Sequence, residues 1–402
     1  MRASKTRVKI PPIHKLRPSW VLTALHAATY LLRNAVLCTL VAIFIVQPSY
    51  RWLVLSSRLQ RLLPTPCLFT FVFAWLCHSV PWFVFNSVYL FLDSIHPEFG
   101  TSKFKDSPLV LPLGRWAAKH RLPRQPQQLP TPALVRRTII QAMVEQYIVI
   151  PILLLITLTY THACDLRSPP PETTIAGFSP QNVSEYWQGR YLGRMCWSFF
   201  ILMQHFLLAN VVNEVGFYTA HGVLHSSPTL YRAFHKKHHT YIGTIGIAAE
   251  YASPLEEVVT NAIPTIAYFA VMFFAFTRSA AAESTFVTAA RAWPLFMTWM
   301  WARLCETYET HSGYCFADTL LGKVGLTHGH RARFHDFHHT YNVSNYGSGL
   351  FMDAILNTMD PYLIHRYPVK HRAETTPEEE QAKAHLELEE ATQALRHANP
   401  NP

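Results

Sequence analysis

The 402-residue chain is short of charge and short of cysteine pairs. Only 15% of its residues are charged while 50% are hydrophobic and 13% aromatic; a soluble domain carries about a quarter charged residues. That deficit excludes a disordered chain and points much of the surface toward lipid. Seven cysteines include no CxxC pair, which excludes a thiolate zinc site and leaves no disulfide framework. There is no HExxH, so the zinc-protease arrangement is missing. No short apolar core with a small-residue cleavage site follows the N-terminus, so no removable signal peptide is expected. Collagen-like and internal repeats are absent as well.

What is present is histidine: 22, against 25 acidic residues. The net charge of +10 does not read as a nucleic-acid face. Its Lys and Arg lie in blocks beside apolar stretches, Arg2 to Arg17 before the first and Lys103 to Arg137 before the third. That distribution fits the positive-inside rule and anionic headgroups.

A spanning helix needs about 20 mostly apolar residues. Six stretches approach that length: about 20–46, 67–92, 138–160, 197–215, 258–276 and 286–305. The expected fold is therefore an all-α integral membrane protein with about four to six transmembrane helices. With the basic N-terminus in the cytosol, alternate crossing brings 216–254 and 306–402 to the cytosolic side. The sequon at Asn182 then falls in a lumenal loop, and the one at Asn342 in the cytosol. Three parts are expected: 1–137, with two membrane helices and a basic loop; 138–370, catalytic; and 371–402, an acidic tail.

Those two cytosolic stretches carry the histidines. His221 and His225 are spaced i, i+4 and share one helical face. His235, His238 and His239 form HxxHH, and His335, His338 and His339 repeat it. His311 stands alone after the sixth stretch. One HxxxH is weak evidence; all three motifs on one membrane face are strong. Imidazole suits Fe, Cu, Zn and Ni, and eight or nine ligands exceed one tetrahedral ion, which implies two metals. A redox pair at a membrane surface is suited to activating dioxygen against a lipid C–H bond. The Glu and Glu-x-x-His pattern of carboxylate-bridged di-iron bundles is not found. Two histidines within the apolar stretches, His78 and His205, read as hydrogen-bonded core residues, whereas His328 and His330 could lie behind the metal ligands, on the substrate side or at the surface.

These motifs resemble the membrane-bound fatty acid hydroxylase/sterol desaturase superfamily, and within it the C-4 methylsterol monooxygenases. Glu250-Tyr251-Ala252-Ser253-Pro254-Leu255-Glu256 is similar to EYAHPLE. Arg303 to Thr307 with His311-Ser312-Gly313-Tyr314 resembles RLLET and HSGY. Phe334 to His339, Asn345-Tyr346 and Asp353 resemble FHDYHH, GNY and WD. The resemblance covers about 139–362 and implies a cytosolic helical cap over two Fe ions, in an enzyme of the endoplasmic reticulum membrane. The reaction it implies is O2-dependent oxidation of a sterol C-4 methyl group. Electrons would come from NAD(P)H through cytochrome b5 or a similar carrier protein. Its metal ligands would be His221, His225, His235, His238, His239, His335, His338 and His339, with His311 as a ninth. Glu214, Tyr218 and Asp336 would support them from behind. Gly222, Ser253 and the stretch from Leu320 to Arg333 depart from the pattern and bear on the substrate. Other readings are a side-chain sterol hydroxylase, a C-5 desaturase, a fatty-acid hydroxylase and, in another class, a metal transporter.

Overall fold

The computed structural model describes residues 20–46, 66–123, 128–160, 190–279, 282–349, 351–359 and 361–363. Its long helices are α1 (Trp20–Val46), α2 (Pro66–Ser94), α3 (Leu111–His120) and α4, which runs from Pro132–Val144 through a π-helical turn, Glu145–Val149, into Ile150–Tyr160. They continue with α5 (Arg190–Ser226), α6 (Ile263–Ser279), α7 (Ala282–His311), α8 (Arg331–Tyr341) and the short α9 (Phe351–Leu356). No strand occurs among the described residues beyond one isolated bridge between Arg121 and Tyr314. The fold is all-α, as expected.

Among the described residues, three helical stretches are long and apolar enough to cross a membrane: Ala74–Ser94, Pro132–Ile156 and Phe199–Ser226. α4 shows why they need lipid. Ile140, Ile148, Ile152, Leu153, Leu155 and Ile156 all lie exposed along it, and water would not tolerate that surface. The fourth expected stretch proves to be the middle of a 37-residue helix, so His221 and His225 ride on the last turns of α5 rather than after it. The acidic tail, the 182 sequon and the basic N-terminus lie outside the described residues.

Proline sets the irregular turns. Pro151 and Pro264 lack an N–H and would press on the carbonyl four residues back. Each follows a π-helical turn, Glu145–Val149 and Glu257–Ala262, and the wider turn relieves the conflict. α1 packs on α5, α2 on α7, and α6 between α5 and α7. Trp299, Phe206, Ala35 and Cys38 fill one core at that junction. The C-terminal ends of α5 and α7 thus come together, and α8 packs against α7 there.

Candidate metal centre

All nine histidines named from the sequence converge, in two groups. His221, His225, His235, His239 and His338 bring one ring nitrogen each within 4.8 Å of one another; His238, His311, His335 and His339 do the same. The partition is cross-linked. Each HxxHH gives its i, i+4 pair to one group and its middle histidine to the other. His235 and His239 join the first group and His238 the second, while His335 and His339 join the second and His338 the first. Neither group forms without both motifs.

The two motifs reach this by different backbones. His335 to His339 lie on the α-helix α8, as the spacing suggests. His235 ends a π-helical turn, Tyr231–His235, and His238 and His239 open a 3-10 turn. Ser227 caps this segment through a bond to the Leu230 N–H.

The rings face inward through Nε2, and five of them are held from behind through Nδ1. His221 Nδ1 donates to the Tyr346 carbonyl at 2.7 Å, His338 Nδ1 to that of Ser344 at 2.7 Å, His339 Nδ1 to that of Tyr241 at 3.0 Å, and His311 Nδ1 to that of Thr307 at 2.9 Å. A carbonyl only accepts, so these Nδ1 atoms carry the proton and their Nε2 atoms present lone pairs. Within each group the Nε2 atoms stand close: His221 to His235 at 3.0 Å, His225 to His235 at 2.8 Å, His311 to His335 at 2.7 Å, His335 to His339 at 3.0 Å. Inward lone pairs at that spacing repel unless a cation lies among them. Burial, reinforced by the neighbouring imidazoles, holds His235, His238, His239, His335, His338 and His339 well below the ordinary histidine range. The rings are therefore neutral at pH 7, the form a metal binds.

One ring is backed by a carboxylate instead. His235 Nδ1 lies 2.7 Å from Glu256 Oε1, with Glu256 only 4% exposed. Burial pushes that carboxyl well up and the imidazole well down. A cation on Nε2 offsets both, favouring a carboxylate behind and a donor at Nδ1. Sequence reasoning missed Glu256, although it closes the Glu250 to Glu256 run. Ser253, the departure in that run, caps the short helix by accepting from the Glu256 N–H at 3.2 Å. Glu256→Gln is expected to lower metal affinity by about 10–100-fold, the range for an outer partner of a ligating histidine; metal titration followed by its absorption spectrum checks it.

The three supports named from the sequence bond to loop residues. Glu214 accepts from Ser348 Oγ at 2.9 Å and from the Gly349 N–H. Tyr218 meets Thr358 at 3.2 Å, and Asp336 accepts from Thr244 Oγ1 at 3.1 Å. They act one step further out, on loops. Asp353 shares that work: it accepts from the Tyr346 and Gly347 N–H groups at 2.9 and 2.7 Å. Burial pushes its carboxyl up to about 7 against those bonds. Gly347 and Gly349 are needed here, because a Cβ on either would strike Glu214, Asp353 or Arg331. Asn342, Ser344 and Asn345, all at left-handed φ of 55–60°, turn the chain so that the Ser344 carbonyl meets His338.

The remaining histidines fall outside the groups. His328 bonds Glu309 through Nδ1 at 2.8 Å, and His330 Nδ1 lies 3.8 Å from Cys315 Sγ. His78 meets Gln146 at 3.2 Å and His205 the Tyr268 hydroxyl at 2.8 Å, the core roles expected for them. Beside Gly222 there is open space, so packing does not demand glycine there.

A helical membrane protein with two buried imidazole groups at its helix ends is the class that fold and site define. Residues 206–358 match the fatty acid hydroxylase family model. Among similar proteins, methylsterol monooxygenase 1 of Danio rerio is 34% identical over 41% of this chain and 50% of its own length. Methylsterol monooxygenase 2-2 of Arabidopsis thaliana is 34% identical over 38% and 51%. The fatty acid hydroxylase ahd1 of Mycosarcoma maydis is 30% identical over 39% and 34%. The chain spans about half the length of the first curated relatives it matches. No solved structure matches it significantly.

Proposed function

We propose that the protein is a membrane-bound monooxygenase that oxidises a sterol C-4 methyl group with dioxygen at two metal ions. The carrying observation is the pair of histidine groups with inward Nε2 lone pairs at the ends of lipid-facing helices. The donor set fits iron: neutral imidazoles, no thiolate, and a carboxylate behind one ring. His221, His225, His235, His239 and His338 would hold one ion, and His238, His311, His335 and His339 the other. Two irons there would supply dioxygen activation.

Each oxygen inserted into a C–H bond consumes one dioxygen, two electrons and two protons and releases one water. The chain's own part is to orient and to exclude. Tyr241, Thr307, Ser344 and Tyr346 fix the rings through their carbonyls. Burial of eight of the nine rings keeps bulk water away from them. A site reached from the bilayer suits a sterol, which has little solubility elsewhere. Electrons would arrive from NAD(P)H through a carrier such as cytochrome b5. The proposed setting is the endoplasmic reticulum, with the histidines toward the cytosol.

The C-4 methyl group is favoured over other lipid positions by the methylsterol monooxygenase names among the relatives. An aldehyde decarbonylase and a fatty acid hydroxylase stand among them too. A transporter should place its polar ligands near mid-span, whereas these cluster at helix ends. The sterol profile of cells lacking the protein, by gas chromatography and mass spectrometry, is expected to show 4-methyl or 4,4-dimethyl sterols accumulating. Wild type should reverse this and His238→Ala should not. An unchanged profile would remove the C-4 substrate, and side-chain and fatty-acid hydroxylation would be assayed next.

A further inference from the structure

Helix α3 and the turn that follows α7 make an apolar surface that no described element covers. On α3, Gly114 and Ala117 are buried, Leu113 and Trp116 are 41% and 42% exposed, and Arg115 and Lys119 are exposed on a third flank. The helix thus has a protein side, an apolar side and a basic side. In the turn, Leu320, Leu321, Val324 and Leu326 are 74%, 52%, 59% and 56% exposed, with exposed Lys323 among them. Gly322 and Gly325 are the buried residues of that turn, so its large side chains all point outward.

The two pieces are fixed to each other and to the end of a membrane helix. Trp116 stacks on Phe316 at 5.7 Å, and the Cys315 N–H donates to the His120 carbonyl at 2.8 Å. Gly114 lies against the Ile95 carbonyl. Asp93, one residue from the end of the span Ala74–Ser94, pairs with Arg121 at 3.4 Å and accepts from the Tyr314 hydroxyl at 2.9 Å. Arg33 of α1 donates to the Thr327 carbonyl beyond the turn. The surface therefore sits where α2 leaves the bilayer.

We propose that this surface is an interfacial membrane contact, with its leucines in the acyl boundary and Arg115, Lys119 and Lys323 on anionic headgroups. Apolar bulk flanked by cations at an interface is the pattern by which amphipathic helices lie in lipid, and long basic side chains reach outward to the phosphates. Asp318 is the exposed acid of the turn, so cations prevail. The contact would seat the histidine cap at a fixed depth over the bilayer. It stands independently of the substrate reading.

The test uses the full chain in nanodiscs containing anionic lipid. A spin-labelled residue is encoded at position 321, at 324 and, as a control, at 115. Collision with dissolved oxygen, which concentrates in lipid, is compared with collision with a water-soluble nickel chelate. Oxygen is expected to dominate at 321 and 324, and the chelate at 115. Removing the anionic lipid should shift 321 and 324 toward the chelate. Chelate-dominated collision at 321 and 324 would overturn the proposal in favour of a solvent-facing surface. Protection from both reagents would overturn it in favour of a protein partner or a second copy. Depth indifferent to lipid charge would overturn the role given to the three cations.

Discussion

The chain carrying His338→Ala is expected to hold one metal ion against the two proposed for the parent, and to lose turnover by at least about 100-fold. Removing only an outer partner of a ligating histidine costs up to about 100-fold, and His338 is in direct reach of the site. It is fully buried, its Nε2 lies 3.1 Å from that of His239, and its Nδ1 is committed to Ser344. No other histidine of α8 can replace it, because His335 and His339 belong to the second group. His335→Ala should therefore empty the other position while leaving the first loaded. His385→Ala, outside every motif, should change neither metal content nor rate. Metal analysis by mass spectrometry alongside turnover distinguishes these cases. A His338→Ala protein with two ions and full activity would sink the shared-site reading.

The histidine spacing made the membership of the site legible but not its partition. Spacings of three and four residues place His335, His338 and His339 on one helical face, and that much holds on α8. Which ring goes to which group depends on the other motif, nearly a hundred residues away, and on a π-helical turn that rotates His235. Local periodicity carries no record of either. The outer partners are harder to read for a related reason. Glu214, Tyr218 and Asp336 are named through the resemblance, and in the fold they bond to loop residues. The carboxylate that meets a ring, Glu256, comes 21 residues after its histidine, beyond the largely buried stretch from Tyr241 to Ala249. The apolar stretches were legible because lipid imposes a length on them. Their ends were not, since α5 carries straight through from apolar span to histidine-bearing turn.

Glu306→Ala is expected to destabilise the fold by about 3–5 kcal/mol, the cost of breaking a buried ion pair by removing one partner. Glu306 is 3% exposed, and Arg303, Arg331 and the Tyr30 hydroxyl all converge on its carboxylate. Arg303 and Arg331 are themselves 7% and 5% exposed. Deleting the carboxylate leaves two guanidinium groups facing each other away from water, with the Arg331 charge additionally stacked 3.8 Å from the Tyr30 ring. The loss extends beyond α7, because Arg331 opens α8, the helix that carries His335, His338 and His339. Glu306→Gln keeps the shape and one acceptor but removes the charge, and should fall between wild type and Ala. Thermal unfolding in detergent, followed with metal content, checks the order. If Glu306→Ala melted with wild type while losing its metal, the cluster would serve the site directly. Equal loss of stability in both variants would place the whole effect in the charge, and a wild-type melting point with full metal in both would refute it.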